Sequence, residues 1–245
     1  MLIKDLRLYP SLNIPLGRKS LVNTVNAWSF VVAQHDAVFR ESLEQCDYLL
    51  PDGQSIVWAC RPLGNAAPPP CRITGWDLFV DLMTRLDAQG REEGTMKRVF
   101  FLGSSEACLD EIGLRAIVQW PNLTVKTLSP PFRNSFSVEE SSEMIRTVNG
   151  FKPDLLWVGM TAPKQEKWVY EHYSELDVAG PMGSIGAVFS FYSGHKRRAP
   201  KTFQQLGLEW LFRFLLEPRR TARRYLYGNA AFLWLCILEF LNKRK

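Results

Sequence analysis

Apolar residues recur at helical spacing near the start of the chain. Over residues 19–46 they fall mostly three and four positions apart, a pattern that predicts a helix. The short apolar stretch 47–50 follows and ends in Pro51-Asp52-Gly53, which predicts a strand that runs into a turn. Further helices are expected at residues 54–60 and from Thr74 or Gly75 to about residue 89, separated by a Pro- and Gly-rich loop at 61–71.

From residue 98 onward, strands and helices alternate regularly. The apolar stretches 98–102, 123–128 and 155–158 predict strands, and residues 181–188 predict a strand and turn of small residues. Helices are predicted between them, at residues 106–119, 138–149 and 164–173. Strands separated by helices of this length form parallel sheets with both faces covered. The predicted fold is therefore α/β, a Rossmann-like parallel sheet with helices on both faces.

The pattern changes near Gly194, because only helices are predicted from Thr202 onward. We therefore expect a catalytic α/β domain at residues 1–194 and a helical appendage at residues 195–245. The charge divides at the same place, since the appendage carries a net +9 and the rest of the chain a net −4. A basic appendage on an acidic body indicates an anionic partner: a membrane surface, a nucleic acid or a phosphorylated substrate.

The remaining composition argues against a disordered or collagen-like protein. The chain is 46% apolar and 22% charged, which is ordinary for a globular protein. Its five cysteines are scattered without a CxxC pair and its three histidines lack metal-ligand spacing, so we expect no zinc site and a reducing compartment. We find neither a signal peptide nor an apolar run of about 18 residues, and so expect no spanning helix.

Three segments that follow predicted strands are candidates for a site, because ligands bind at the carboxyl ends of parallel strands. Asp52-Gly53 offers a carboxylate that can accept a proton, although an Asp in this position also caps helices and turns. Gly103-Ser104-Ser105 suits a phosphate at a helix N-terminus, or is a plain turn. In the segment 159–168, Gln165 and Glu166 fall in the first turn of a helix after Pro163. There they either form hydrogen bonds to a uracil or a sugar hydroxyl, or cap the helix.

Taken together, these segments resemble the WecG/TagA/CpsF glycosyltransferases, glycosyltransferase family 26. The resemblance runs from about Asn13 to about Arg224. It is carried by PDGQSIV (51–57), CRITGWDL (71–78), FFLGSS (100–105), VGMTAPKQEKW (158–168), GSIGAVFSFYSGHKRRAP (183–200) and LGLEWLFRFLLEPRR (206–220). It implies a bacterial, inverting, metal-independent enzyme that needs no cofactor. Such an enzyme moves a hexose or hexosamine derivative from a UDP-sugar to a polyprenyl-diphosphate-linked sugar in the synthesis of cell-surface polysaccharides.

The resemblance also implies roles for individual residues. Asp52 corresponds to the proposed general base, and Arg72 and Gln165 are expected to act with it in catalysis. The expected substrate-binding residues are Thr24, Asn26, Gly53, Thr74, Gly103, Gly159, Pro163, Glu166 and Gly183. For Asn26, an alternative is that it satisfies a buried backbone group. Many members have Asp where this chain has Ser190, near the nucleotide, so the donor preference is expected to differ from that of the N-acetylmannosamine enzymes.

The appendage has the composition of a segment that binds a membrane surface. Apolar and aromatic residues such as Trp210, Leu215 and Trp234 alternate with basic ones. The residues expected at the lipid diphosphate and membrane are Arg197, Arg198, Arg213, Arg219, Arg220, Arg223 and Arg224. We therefore expect a peripheral protein on the cytoplasmic face of the bacterial inner membrane. The alternative is that the apolar stripe packs on the α/β body and the arginines form a solvated face.

Two other functions are weaker interpretations of the same sequence. A nucleic-acid-binding protein would use the basic appendage, but no recognised binding motif is present and the body is acidic. A non-catalytic sugar-nucleotide-binding protein would not need the residue types at positions 52, 72 and 165. The sequence leaves the donated sugar, the glycan and the oligomeric state open, a homo-oligomer included.

Overall fold

The structure is a computed structural model that describes residues 1–205 and 207–243, without the side chains of Gln205 and Arg220. The strands are β1 (Ser20–Val25), β2 (Tyr48–Pro51), β3 (Lys97–Leu102), β4 (Leu123–Leu128), β5 (Leu155–Val158) and β6 (Pro181–Ser184). The helices up to Tyr192 are α1 (Ala27–Ala33), α2 (Ala37–Glu44), α3 (Gln54–Leu63), α4 (Gly75–Glu93), α5 (Glu106–Gln119), α6 (Val138–Phe151), α7 (Lys164–Glu171) and α8 (Gly186–Tyr192). The C-terminal segment contains α9 (Lys201–Gln205), α10 (Glu209–Leu216), α11 (Pro218–Ala222), a π-helical stretch (Arg223–Tyr227) and α12 (Gly228–Lys243), and a 3₁₀ turn (Ile3–Asp5) precedes β1.

The strands form one sheet in the order β2-β1-β6-β5-β3-β4, and every neighbouring pair is parallel. Leu102 pairs with Val158 and Val158 with Ser184, so these strands end level with one another. The carboxyl ends of all the strands therefore lie along one edge of the sheet. The Rossmann-like α/β fold predicted from the sequence is confirmed.

Both faces of the sheet are covered by helices. On one face, Phe101 and Trp157 are buried with Phe79 of α4 and residues of α5 and α8. On the other face, Phe100 and Leu156 are buried with residues of α6 and α7. Consecutive residues of one strand face opposite cores, which explains why residues 99–102 of β3 and all of β5 are apolar and buried.

One prediction about the chain start is wrong, because residues 19–46 are not a single helix. Residues Ser20–Val25 form β1, which pairs with both β2 and β6. Leu21 faces one core and Val22 the other, so the strand is apolar on both faces. Its apolar positions 21, 22 and 25 coincide with helical spacing. The helices α1 and α2 begin only after Asn26 and Asp36, whose side chains cap them.

Two smaller differences concern the ends of elements. The loop predicted at 61–71 begins later, because α3 includes Pro62 and ends at Leu63, where Gly64 caps it with a φ of 80°. The predicted strand and turn at 181–188 is the strand β6 followed directly by α8. Both differences leave the strand ends, and so the edge that carries the site, in the predicted place.

The last helix packs against the opposite end of the chain. Phe232 of α12 contacts Phe30 of α1 edge to face at 5.5 Å and belongs to the same buried cluster. The Glu239 carboxylate accepts hydrogen bonds from the backbone N–H groups of Ile3 (2.8 Å) and Lys4 (2.9 Å). One side of α12 is therefore part of the protein interior. The proposed division at residues 194 and 195 stays a prediction.

Candidate active site

A cleft of about 1380 Å³ lies along the carboxyl edge of the sheet. Residues at or just after the end of every strand line it, in chain order Thr24, Asp52, Ser104, Ser129, Gly159 and Ser184. The opposite wall comes from the C-terminal segment, from His195 to Tyr225. This cleft brings together residues that are far apart in sequence, as the parallel topology requires.

Asp52 lies at the floor of the cleft, directly after β2. Its backbone N–H donates to the carbonyl oxygen of Val25 at 2.9 Å, which joins the ends of β1 and β2. Burial raises the pKa of Asp52 to about 7, the nearby arginines 213, 72 and 224 lower it, and Glu209 raises it. No described residue donates a hydrogen bond to this carboxylate. A carboxylate with a pKa near neutrality and free oxygens is suited to general base catalysis.

Thr24 and Asn26 lie beside Asp52 at the end of β1, and both line the cleft. The Asn26 Oδ1 accepts hydrogen bonds from the N–H groups of Trp28 (3.0 Å) and Ser29 (3.1 Å), so the side chain caps α1. The alternative that Asn26 satisfies backbone groups is therefore seen in the structure. Its Nδ2 has no acceptor among the described residues, so Asn26 can cap the helix and still donate to a ligand.

Gln165 holds the floor of the cleft together. Its Oε1 accepts hydrogen bonds from the N–H groups of Met160 and Gly186, each at 3.1 Å, and its Nε2 donates to Glu166 Oε1 at 2.8 Å. The side chain thus ties the loop after β5 to the first residue of α8. Gln165 lines the cleft, but its carbonyl oxygen is already occupied by the protein.

Glu166 is a buried carboxylate in the wall of the cleft. Only 5% of the residue is exposed, and its Oε2 has no hydrogen-bond partner. Burial raises its pKa to about 7, while the charge of Arg224 acts in the opposite direction. Glu166 is one of the residues that line the cleft. A buried oxygen without a partner is costly to leave unsatisfied, so a ligand hydroxyl that reached Oε2 would be bound favourably.

The glycines have different roles from one another. Gly103 has a φ of 110°, and a Cβ there would lie 2.7 Å from the Gly159 carbonyl oxygen, so the loops after β3 and β5 can approach only through these small residues. A Cβ at Gly183 would overlap the Trp157 ring, so glycine is required there by packing inside the sheet. Gly159 and Pro163 line the cleft, whereas Gly53, Gly103 and Gly183 are not among its described lining residues. Thr74 lines it and caps α4 through Asp77.

Arg72 is held by the C-terminal segment. Its Nη1 donates to Glu209 Oε2 at 2.9 Å and its Nη2 donates to the carbonyl oxygen of Gln204 at 2.6 Å. Arg72 does not belong to the described lining of the cleft. In this arrangement it anchors α10 and contributes charge near Asp52.

Most of the predicted arginines line the cleft: Arg197, Arg198, Arg213, Arg223 and Arg224. Arg219 is exposed and not among the described lining residues, and the side chain of Arg220 lies outside the described part of the chain. Burial lowers the pKa of Arg224, and the charges of Asp52 and Glu166 oppose that shift. The C-terminal segment therefore places guanidinium groups near the carboxylates of Asp52 and Glu166.

The sequence of the chain matches a known enzyme family. The profile of the glycosyl transferase WecG/TagA/CpsF family matches residues 12–245. The chain belongs to the WecG/TagA/CpsF glycosyltransferase family. The resemblance found in the sequence is thereby confirmed, and a glycosyltransferase of this family explains a cleft that combines carboxylates with a wall of arginines.

The chain is also similar to three bacterial enzymes that share one name. The chain is 28% identical over 207 residues to the N-acetylglucosaminyldiphosphoundecaprenol N-acetyl-beta-D-mannosaminyltransferase of Bacillus spizizenii, covering 84% of this chain and 75% of the relative. It is 26% identical to the enzyme of the same name from Bacillus subtilis, covering 83% and 74%. The Staphylococcus aureus enzyme of that name is also 26% identical, covering 76% and 67%.

Several residues of this glycosyltransferase cleft were not predicted as site residues. Glu209 binds Arg72 and lies 3.6 Å from Arg198, and a sequence signal exists for it, since few acidic residues occur in the basic appendage. Trp76 and Phe132 also line the cleft. Phe132 is fully exposed in the loop between β4 and α6. Nothing in its local pattern indicates that this loop reaches the cleft.

Within residues 1–205 and 207–243, no group of three or more His, Cys, Asp and Glu side chains is arranged to hold a metal ion. In the same part of the chain, no helix has the length and apolar character needed to cross a membrane.

Proposed function

We propose that this protein is an inverting, metal-independent glycosyltransferase that moves a hexose or hexosamine derivative from a UDP-sugar to a polyprenyl-diphosphate-linked sugar. The relatives that resemble it are named for transfer to N-acetylglucosaminyldiphosphoundecaprenol. The observation that carries the proposal is Asp52, a carboxylate with a raised pKa on the floor of a cleft whose opposite wall is lined with arginines. The product would be a lipid-linked intermediate of a bacterial cell-surface polysaccharide.

In the proposed reaction, an acceptor hydroxyl attacks the anomeric carbon of the donor sugar from the side opposite the UDP. Asp52 takes the proton of that hydroxyl as the new C–O bond forms. The bond between the anomeric carbon and the phosphate oxygen breaks, and its electrons leave with UDP. One displacement of this kind inverts the configuration at the anomeric carbon.

Negative charge develops on the departing diphosphate and needs stabilisation. The cleft lining contains seven basic residues against five acidic ones, and six of the basic residues come from the C-terminal segment. Guanidinium groups bind diphosphate oxygens bidentately, so Arg213, Arg223 and Arg224 are the groups we assign to the phosphates. The backbone N–H groups at the starts of α5 and α8 add to the positive field.

Side chains with a free donor or acceptor would orient the sugars and the nucleoside. The Asn26 Nδ2 is free to donate, and the Glu166 Oε2 is free to accept from a hydroxyl. Gln165 would act indirectly, by fixing the Met160 and Gly186 N–H groups that shape the floor.

The protein is also proposed to bind the cytoplasmic face of the inner membrane, where a lipid-linked acceptor is found. Exposed apolar side chains cluster in the C-terminal segment: Leu215, Leu216, Leu226, Tyr227, Leu233, Trp234, Ile237 and Leu241. Exposed basic residues such as Arg219 and Arg223 occur in the same segment. An apolar face flanked by basic residues is suited to the interface of an anionic membrane.

The direct test is a transfer assay with a panel of UDP-sugars and N-acetylglucosaminyl-diphosphate acceptors, run with and without excess EDTA. We expect transfer from at least one UDP-sugar, an inverted anomeric centre in the product, and full activity in EDTA, because side chains and helix N-termini meet the diphosphate charge. Loss of transfer in EDTA with recovery in Mg²⁺ or Mn²⁺ would show that a metal stabilises the leaving group. Failure with every UDP-sugar would reject the donor class.

A further inference from the structure

A second, apolar groove opens beside the cleft. It has a volume of about 550 Å³ and lies between α4, α5 and α8. Its walls include Val80, Leu114, Val118 and Tyr192. Leu114 and Val118 are 65% and 84% exposed, so the groove presents aliphatic surface to its surroundings. The volume is within the usual range for small-molecule pockets.

Two aromatic rings, Trp76 and Phe191, line both the groove and the cleft. Each ring carries a guanidinium on the cleft side of the junction. The Arg198 Cζ lies 4.9 Å from the centre of the Trp76 ring, and the Arg213 Cζ lies 4.7 Å from the centre of the Phe191 ring. The surface therefore changes from cationic to apolar across these two rings.

The polar side chains of the groove are engaged within the protein. The Arg115 Nη1 donates to the Tyr192 carbonyl oxygen at 3.1 Å, and the Gln119 Oε1 accepts from the Tyr192 hydroxyl at 3.1 Å. A ligand in the groove would thus meet mainly carbon atoms. Burying such atoms is favourable in proportion to the apolar area removed from water.

We propose that this groove binds the first part of the apolar chain of a lipid diphosphate whose headgroup lies in the cleft. The inference rests on the proposed function for the identity of the headgroup. An anion joined to a long apolar chain matches the order of the surface: arginines, then aromatic rings, then aliphatic side chains. A second copy of this protein would cover the aliphatic part but would not use its continuity with the cationic cleft across Trp76 and Phe191.

The test compares two soluble probes, farnesyl diphosphate and inorganic pyrophosphate, by isothermal titration calorimetry on the full chain. The wild type is expected to bind farnesyl diphosphate at least about tenfold more tightly, because only this probe buries apolar area in the groove. In Leu114→Ser/Val118→Ser that advantage should disappear, with pyrophosphate binding unchanged. Both positions are exposed, so the fold should tolerate them. The matched control, Leu233→Ser/Trp234→Ser, changes two exposed apolar residues of α12 and should keep the advantage.

Equal affinity of the wild type for the two probes would overturn the proposal, as would an advantage that survives in Leu114→Ser/Val118→Ser. Sedimentation velocity of the same proteins tests the other occupant. If the groove variant converts a dimer to a monomer and keeps the farnesyl advantage, a second copy fills the groove and the proposal is wrong. The titration needs no turnover, so failure of the transfer assay and failure of the groove are separate results.

Discussion

The Arg72 guanidinium donates a hydrogen bond to Glu209 Oε2 at 2.9 Å, and this pair joins the loop before α4 to the C-terminal segment. Glu209 also lies 3.6 Å from Arg198. Its charge raises the pKa of Asp52, while Arg213, Arg72 and Arg224 lower that pKa. The C-terminal segment therefore supplies charges that shift the proton affinity of Asp52, the proposed general base, in addition to lining the cleft.

This arrangement predicts how activity depends on pH. Asp52 can accept a proton only when it is ionised, and its pKa is about 7. The value of kcat/KM should therefore rise with pH and level off above 7, falling about tenfold for each pH unit below it. The measurement is kcat/KM between pH 5 and 8.5.

The variant Glu209→Gln tests whether Asp52 causes this fall in kcat/KM below pH 7, the acidic limb of the profile. It removes a charge that raises the Asp52 pKa and keeps an amide oxygen that can accept from Arg72. The acidic limb should move to lower pH, while kcat/KM on the plateau stays near the wild-type value. If the acidic limb stays in place in this variant, or if the wild-type profile is flat from pH 5 to 8, titration of Asp52 does not control kcat/KM.

Gln165 gives a prediction about stability. Replacing it in Gln165→Met keeps the volume and leaves the N–H groups of Met160 and Gly186 without their acceptor. Each buried unsatisfied donor costs about 1–3 kcal/mol. Because these two N–H groups are only partly buried, we expect the free energy of unfolding to fall by about 2–4 kcal/mol. The KM for the UDP-sugar should rise, because the floor of the cleft is no longer fixed.

Urea unfolding measures this loss, and Gln89→Met is the matched control. Gln89 makes an exposed hydrogen bond to Glu93 on α4, so its replacement should change stability by less than about 0.5 kcal/mol. If Gln165→Met unfolds at the same urea concentration as the control, the side chain acts only on the ligand and does not hold the two loops together.

The sequence predicted the sheet because its strands are apolar on both faces and its helices are regularly spaced. Predicted β4, β5 and α5 have the observed bounds. The error at β1 has the same origin: a strand buried on both faces loses its alternation, and the spacing of Leu21, Val22 and Val25 then fits a helix. Periodicity alone does not separate these cases.

Site residues at strand ends were predictable because parallel topology brings strand ends together. Asp52 and Gln165, in segments that follow predicted strands, both line the cleft. Thr24 lines it too, but only the family resemblance indicated it, because residues 19–46 were predicted as a helix. What the sequence did not reveal is which side chains are used by the protein itself. The engagement of Arg72 by Glu209, and of Gln165 by Met160 and Gly186, depends on contacts between distant segments.

The exposed side of α12 gives a prediction about membrane binding. Leu233 and Trp234 are 61% and 60% exposed, whereas Phe232 packs in the interior. Two exposed positions can therefore be changed without removing the helix, which a truncation near residue 194 would do. In Leu233→Ser/Trp234→Ser we expect co-sedimentation with anionic liposomes to fall several-fold, because the apolar area is lost from the interface.

Liposome co-sedimentation at two salt concentrations checks this prediction. Wild-type binding should weaken in high salt, since surface charges are screened over about 8–10 Å at physiological ionic strength. The control Met96→Ser/Val138→Ser changes two exposed apolar residues of the α/β body and should pellet like the wild type. If the α12 variant also pellets like the wild type, this side of α12 does not bind the membrane.

The proposed role of Asp52 as the general base is tested most directly by the kcat of Asp52→Asn at pH 8. Asn is nearly isosteric but cannot accept the proton, so kcat should fall about 10²–10⁴-fold with UDP affinity little changed. The folded-state pKa lies above the ordinary value of 3.8, so ionised Asp52 lowers stability as the pH rises through 7. Asp52→Asn should therefore be at least as stable as the wild type at pH 8, which excludes unfolding as the cause. The control Asp110→Asn, on the exposed side of α5, should keep wild-type kcat. A well-folded Asp52→Asn protein that turns over at nearly the wild-type rate would contradict the mechanism.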